Sequence, residues 1–100
     1  MDVMLRATIY FLTAEQGGRR LGLIPKADME YSFWANTAQF PDGNVYSVGL
    51  YFEPRTIVFP GTIHTVGVDF LVEEAYSLFE SGKEFIICEG KRVIAMGNIL

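Results

Sequence analysis

The two side chains with the widest chemical repertoire in this chain are its single histidine, His64, and its single cysteine, Cys88. A cysteine thiolate activated by a nearby imidazole is a nucleophile, so the pair raises the hypothesis of a hydrolase. Both residues lie in strand-like runs, and no motif supplies a third group to orient the imidazole. The sequence therefore favours structural roles for both and leaves a hydrolase as the weakest of three functional hypotheses.

Metal or cofactor chemistry has little support in the residue pattern. A metal site needs several converging ligands, and one histidine with scattered carboxylates matches no known ligand spacing. The phosphate-binding pattern G-x-x-x-x-G-K-[ST] is also absent. We therefore predict a protein that uses no metal or cofactor and is not an enzyme.

Bulk composition limits the architecture and the partners. A chain of 100 residues that is 50% apolar can build its own core, which predicts one domain over residues 1–100. A single cysteine excludes an internal disulfide and predicts a cytoplasmic location. The sequence has neither a signal-peptide pattern nor a long apolar run, so we predict no membrane association. The net charge of −4 disfavours broad contact with nucleic acid and favours a protein partner.

Most of the chain alternates between strand-like runs and turn residues, a pattern typical of a small all-β barrel or sandwich. In the first run, Leu5, Ala7, Ile9 and Phe11 fall on one face, which predicts a strand with one buried side. A loop is predicted over residues 13–26. The predicted strands are residues 4–12, 31–37, 45–52, 56–59 and 62–71, followed by a closing hairpin over 84–100 that turns at Glu89 and Gly90.

Residues 72–81 are the exception to this strand pattern. Leu71, Ala75 and Leu78 recur at helical spacing, and Gly82 could end a helix, so one short helix or helical turn is predicted here. The surrounding carboxylates could dock a basic partner, although a solvated helix face accounts for such residues more often. This acidic group consists of Asp69, Glu73, Glu74, Glu80 and Glu84.

The closing hairpin resembles the last two strands of the third domain of elongation factor Tu, which read F-x-I-R-E-G-x-R-T-V-G-x-G-x-V. Residues 7–19 are similar to that domain's first strand and its E-E-G-G-R loop, residues 31–34 to its F-Y-F-R strand, and residues 60–61 to its P-G turn. The hairpin residues that match this family pattern position by position are Phe85, Ile87, Glu89, Gly90, Arg92, Ile94 and Gly97. The resemblance spans residues 4–100 and implies a closed six-stranded antiparallel β-barrel.

In that family the third domain packs against the second domain, meets the GTPase domain and contacts aminoacylated tRNA. The resemblance places Glu89, Gly90 and Glu30 at positions close to tRNA. Residues 28–30 are Asp-Met-Glu where the family has Arg-Pro-Gln, and acid at this place opposes phosphate. Trp34 stands in place of a family arginine, and we predict that it faces outward as an interaction hot spot.

Two binding hypotheses follow. The first is a non-enzymatic, stand-alone barrel that binds a translation factor, a GTPase or another protein, mimicking or competing with the third domain of elongation factor Tu. The alternative is a tRNA-binding or RNA-binding module, although a basic loop at 19–26 could equally serve solubility. The predicted site residues are Arg19, Arg20, Glu30, Trp34, Glu89, Gly90, Lys91 and Arg92.

Overall fold

The computed structural model describes residues 5–27, 32–41, 43–70 and 83–100. These residues form seven β-strands. The strands are β1 (Leu5–Phe11), β2 (Lys26–Ala27), β3 (Ser32–Gln39), β4 (Val45–Phe52), β5 (Ile63–Phe70), β6 (Glu84–Glu89) and β7 (Arg92–Ile99). The described part contains no helix, and none there could therefore cross a membrane. The helix predicted for 72–81 lies outside the described residues.

Six of the strands close into an antiparallel barrel in the order β3-β4-β5-β1-β7-β6, with β6 returning to pair with β3. The short β2 pairs with the beginning of β3, and β6 pairs with its end from Thr37 to Gln39. Because the ring is closed, its strands do not leave a free sheet edge. The predicted six-stranded closed antiparallel β-barrel is confirmed.

Strand β1 shows why the alternating pattern predicts this fold. Ala7, Ile9 and Phe11 are buried in the barrel, whereas Arg6 is exposed. The strand pairs with β5 on one side and with β7 on the other, so it lies in the middle of the sheet. The sequence prediction of one buried face is confirmed for this strand.

A group of aromatic side chains fills each end of the barrel interior, with aliphatic residues between them. At one end the ring of Phe11 lies 6.1 Å from Trp34, 6.3 Å from Phe52 and 5.9 Å from His64, measured between centroids. At the other end Phe40 lies 5.6 Å from Phe85. The aliphatic layer includes Ile9, Val48, Leu50, Val66, Val68, Ile87 and Ile94.

The predicted closing hairpin is confirmed, but its central turn residues are Gly90 and Lys91 and not the predicted Glu89 and Gly90, because Glu89 still pairs with Arg92. Gly90 has φ 63°, and glycine at the first central position is what a type II′ hairpin turn requires. The pairing shifts by one residue next to Cys88, so that Ile94 is an extra residue on β7. The Ile94 carbonyl instead accepts a 2.9 Å hydrogen bond from the Leu12 amide, which ties the hairpin to the end of β1.

The strand predicted at 56–59 is wrong. Only Val58 pairs there, in an isolated antiparallel bridge with Leu23. The segment lies between Pro54 and Pro60, which have no amide hydrogen for a sheet ladder. The consecutive apolar residues of this segment therefore form part of a connection between β4 and β5.

Candidate functional site

Three connections lie at the same end of the barrel, which we call the loop end: residues 12–25, residues 53–62 and the hairpin turn at 89–92. Backbone hydrogen bonds fasten the second connection to the end of β1. The Phe11 amide donates to the Thr62 carbonyl at 2.9 Å, and the Gly61 amide donates to the Phe11 carbonyl at 2.7 Å. The loop end is therefore held in place by the strands beneath it.

The bridge between Leu23 and Val58 joins the first two connections. Each residue donates its amide to the other's carbonyl, at 2.7 and 2.8 Å. Val58 is buried and Leu23 packs against the core. Because side chains alternate in direction along extended backbone, the neighbours of these two residues face outward.

Three large apolar side chains on these outward positions, together with Leu21 earlier in the first connection, are exposed to solvent. The exposed fraction is 77% for Leu21, 76% for Ile24, 48% for Ile57 and 55% for Phe59. The antiparallel bridge puts Ile24 across from Ile57, and a β-carbon at Gly22 would lie 3.4 Å from the Phe59 ring. We call these four residues the apolar patch. Clustered exposed apolar side chains are typical of an interaction surface.

An ion pair links the first connection to the hairpin turn. The Arg19 guanidinium contacts the Glu89 carboxylate, and both side chains are partly exposed. Arg19 also lines a small cleft together with Leu21 and Phe59 of the apolar patch. The structure thus brings together two predicted site residues that are far apart in the chain, and it places them beside the patch.

The remaining predicted cations also lie at the loop end. Arg20, Lys91 and Arg92 are exposed, as is Gly90 at the tip of the turn. Arg55 adds another exposed cation in the second connection. The three connections together hold five Lys or Arg residues and three Glu residues, whereas the whole chain has a net charge of −4. These three described connections therefore carry a net positive charge on an acidic protein.

One predicted site residue, Trp34, does not join this group. Trp34 is partly buried instead of facing outward, because it shares the inner face of β3 with Ala38 and Phe40 and packs against Phe11. Its predicted role as an exposed hot spot is corrected to one of packing within the barrel. Glu30 lies outside the described residues.

His64 and Cys88 lie on strands that are not neighbours, since β1 and β7 separate β5 from β6 in the sheet order. The Thr62 hydroxyl donates to the Phe59 carbonyl at 2.6 Å, and the His64 Nε2 lies 3.0 Å from that hydroxyl oxygen. The imidazole therefore serves as a hydrogen-bonded packing group. Among the described residues, no three His, Cys, Asp or Glu side chains converge on a point where they could hold a metal ion.

A second concave surface runs along the outer wall of the barrel, with a volume of about 490 Å³. Its lining includes Tyr10, Ile63, Ile86 and Met96, and Glu84 is the one charged side chain in the described part of that lining. The described lining is mainly apolar and does not include a pair of groups suited to acid–base catalysis.

No protein-family model matches the chain, and no curated protein matches it. The relation to the third domain of elongation factor Tu therefore remains a prediction from the residues.

His64 makes a specific prediction about pH. Burial lowers the pKa of its imidazole below 6.5, so the unfolded chain binds more protons than the folded chain as the solution becomes acidic. The stabilisation that comes from burying the neutral imidazole is complete above pH 6.5 and is lost as the pH falls through the folded-state pKa. Urea unfolding should show a smaller loss of stability on acidification for His64→Gln than for the unchanged chain. Equal losses would contradict the prediction.

The ion pair makes a second prediction. Glu89→Gln should speed amide hydrogen exchange over residues 19–24, because the Arg19 side chain would lose its charged anchor. Global stability should change by less than ~1 kcal/mol, as is usual for a solvent-exposed ion pair. Lys91→Gln, which alters a neighbouring exposed charge outside the pair, is the control. Unchanged exchange in the Glu89 variant would show that the pair does not hold the loop.

Proposed function

We propose that this chain is a non-enzymatic β-barrel that binds another protein through its loop end. The observation that carries the proposal is the apolar patch: Leu21, Ile24, Ile57 and Phe59 present large apolar surfaces to water on two connections that are bonded to each other. Leaving such side chains in water is unfavourable, and a partner that covers them would recover that free energy.

The backbone bridge and the ion pair that hold the connections also favour binding. The Leu23–Val58 bridge and the Arg19–Glu89 ion pair hold the connections before a partner arrives. A surface that is already ordered loses less conformational entropy on binding than a flexible loop does. The loop end is therefore suited to recognition of a folded or extended protein segment.

The resemblance to the third domain of elongation factor Tu supports a partner among translation factors or GTPases. In this proposal the barrel mimics or competes with that domain. The hairpin turn at 89–92 carries the resemblance and adjoins the apolar patch through Arg19, so one surface includes both features.

Affinity capture with matched variants tests the proposal. The immobilised chain is compared with Ile24→Ser/Phe59→Ser and with Val45→Ser, whose residue is 54% exposed where β4 begins, at the opposite end of the barrel. We expect a stoichiometric protein on the unchanged chain and on Val45→Ser but not on the double variant. Capture of no protein, or equal capture by the unchanged chain and both variants, would refute the proposal.

The alternative function is RNA binding. It draws on the gathering of Arg19, Arg20, Lys91 and Arg92 at one end, since phosphate contacts need clustered cations. Arg19 is already paired with Glu89, and of the apolar patch only Phe59 has a ring on which a base could stack. Titration of labelled tRNA at low salt separates the two functions. Binding that is lost in Arg20→Glu/Arg92→Glu but kept in Ile24→Ser would favour RNA.

A further inference from the structure

We infer that the segment bound at the loop end is both acidic and apolar: a stretch of protein in which Leu, Ile or Phe side chains accompany Asp or Glu. The inference rests on the proposed function and specifies the chemistry of its partner. It follows from the way that the loop end combines the apolar patch with the larger part of the chain's positive charge.

Positive charge lies in the same three connections as the patch. Arg20 directly precedes Leu21, and Arg55 lies two residues before Ile57. Lys91 and Arg92 lie on the hairpin turn, which the Glu89 ion pair ties to Arg19 next to the patch. We call Arg20, Lys91 and Arg92 the rim cations, because they are exposed at the same end of the barrel as the apolar side chains.

This arrangement matches the usual anatomy of a protein interface, in which an apolar centre supplies affinity and a charged rim supplies orientation and rate. Carboxylates on the partner would meet the rim cations, and its apolar side chains would cover Ile24, Ile57 and Phe59. A basic segment would meet like charge at Arg20, Lys91 and Arg92, which is unfavourable.

The same arrangement disfavours one other occupant. Nucleic acid would engage the rim cations but would leave the aliphatic side chains of Leu21, Ile24 and Ile57 without apolar contacts.

Selection from a library of random short peptides displayed on phage tests the inference on the whole chain. We expect the enriched peptides to combine Asp or Glu with Leu, Ile or Phe. Synthetic copies should bind the unchanged chain and lose about tenfold or more in affinity, or ~1.4 kcal/mol, for Arg20→Glu/Arg92→Glu. The control is Arg6→Glu, which alters an exposed cation near the start of β1, far from the loop end.

Other outcomes overturn the inference in ways that can be told apart. Enriched peptides that are basic, or that bind the charge-reversed variant equally well, refute the acidic partner. If those peptides still fail to bind Ile24→Ser/Phe59→Ser, the protein-binding function survives. If no peptide is enriched, the acidic segment is refuted, and binding of poly(U) RNA or of phosphatidylserine-containing vesicles would identify a different class of partner.

Discussion

Replacing Gly97 with alanine should lower the free energy of unfolding by about 1–3 kcal/mol, as is typical of overpacking in a dense core. A β-carbon at this position would overlap the tip of the Phe85 ring, lie 2.7 Å from its Cε2 and 2.8 Å from the Ile9 Cδ1. Phe85 and Ile9 are both buried, so neither can move without disturbing its neighbours. The absence of a side chain on β7 at this point is what allows Phe85 to fill the end of the barrel.

Two further variants make the Gly97 experiment decisive. Gly97→Ala/Phe85→Leu should be more stable than the sum of the two single changes predicts, because the smaller side chain leaves space for the new methyl group. Met96→Ala, next to Gly97 on β7 but 52% exposed, should have a much smaller effect. Urea unfolding measures all of these values. A Gly97→Ala variant as stable as the unchanged chain would show that the core around Phe85 is not closely packed.

Removal of the apolar patch should have the largest effect on binding. With a purified partner, Phe59→Ala is expected to weaken binding by about tenfold or more, and Ile24→Ser/Phe59→Ser by about a hundredfold, because aromatic and aliphatic anchors at the centre of an interface carry most of its affinity. Isothermal titration calorimetry measures the change. Both side chains are largely exposed, so their removal should leave thermal stability nearly unchanged.

Val45→Ala is the matched control, since Val45 and Phe59 are exposed to a similar extent, 54% and 55%, at opposite ends of the barrel. Its affinity should equal that of the unchanged chain. A Val45 variant that binds as weakly as Phe59→Ala would mean that the partner does not distinguish the two ends, and the assignment of the loop end would then be wrong.

The strands that form the barrel could be predicted from the sequence because the alternation of apolar and polar residues is a local pattern. Alternation over residues 5–11 identifies the buried face of β1, and the glycine at 90 identifies the hairpin turn. Closure of six strands into a ring could not be worked out from alternation alone, which also suits a sandwich. It was the resemblance to the third domain of elongation factor Tu that implied the barrel.

The candidate site was harder to predict, because its contacts join distant parts of the chain. The Arg19–Glu89 pair spans a sequence separation of 70 residues. The bridge between Leu23 and Val58 depends on how two irregular connections meet, which a local pattern does not show. The apolar residues around Val58 therefore predict a strand that the structure does not contain. The family arginine that Trp34 replaces predicts an outward position, whereas the alternation of side chains along β3 places Trp34 against the core.

The central claim is that the loop end is the surface through which this barrel binds a protein. Amide hydrogen exchange of the chain alone and in complex with a captured partner tests it most directly, since exchange slows where a partner covers the backbone. The account predicts slower exchange at residues 19–24 and 57–59 on binding and no change at residues 43–45, beside the turn at the opposite end. Protection confined to that opposite turn or to the outer wall, with the loop end unchanged, would contradict it.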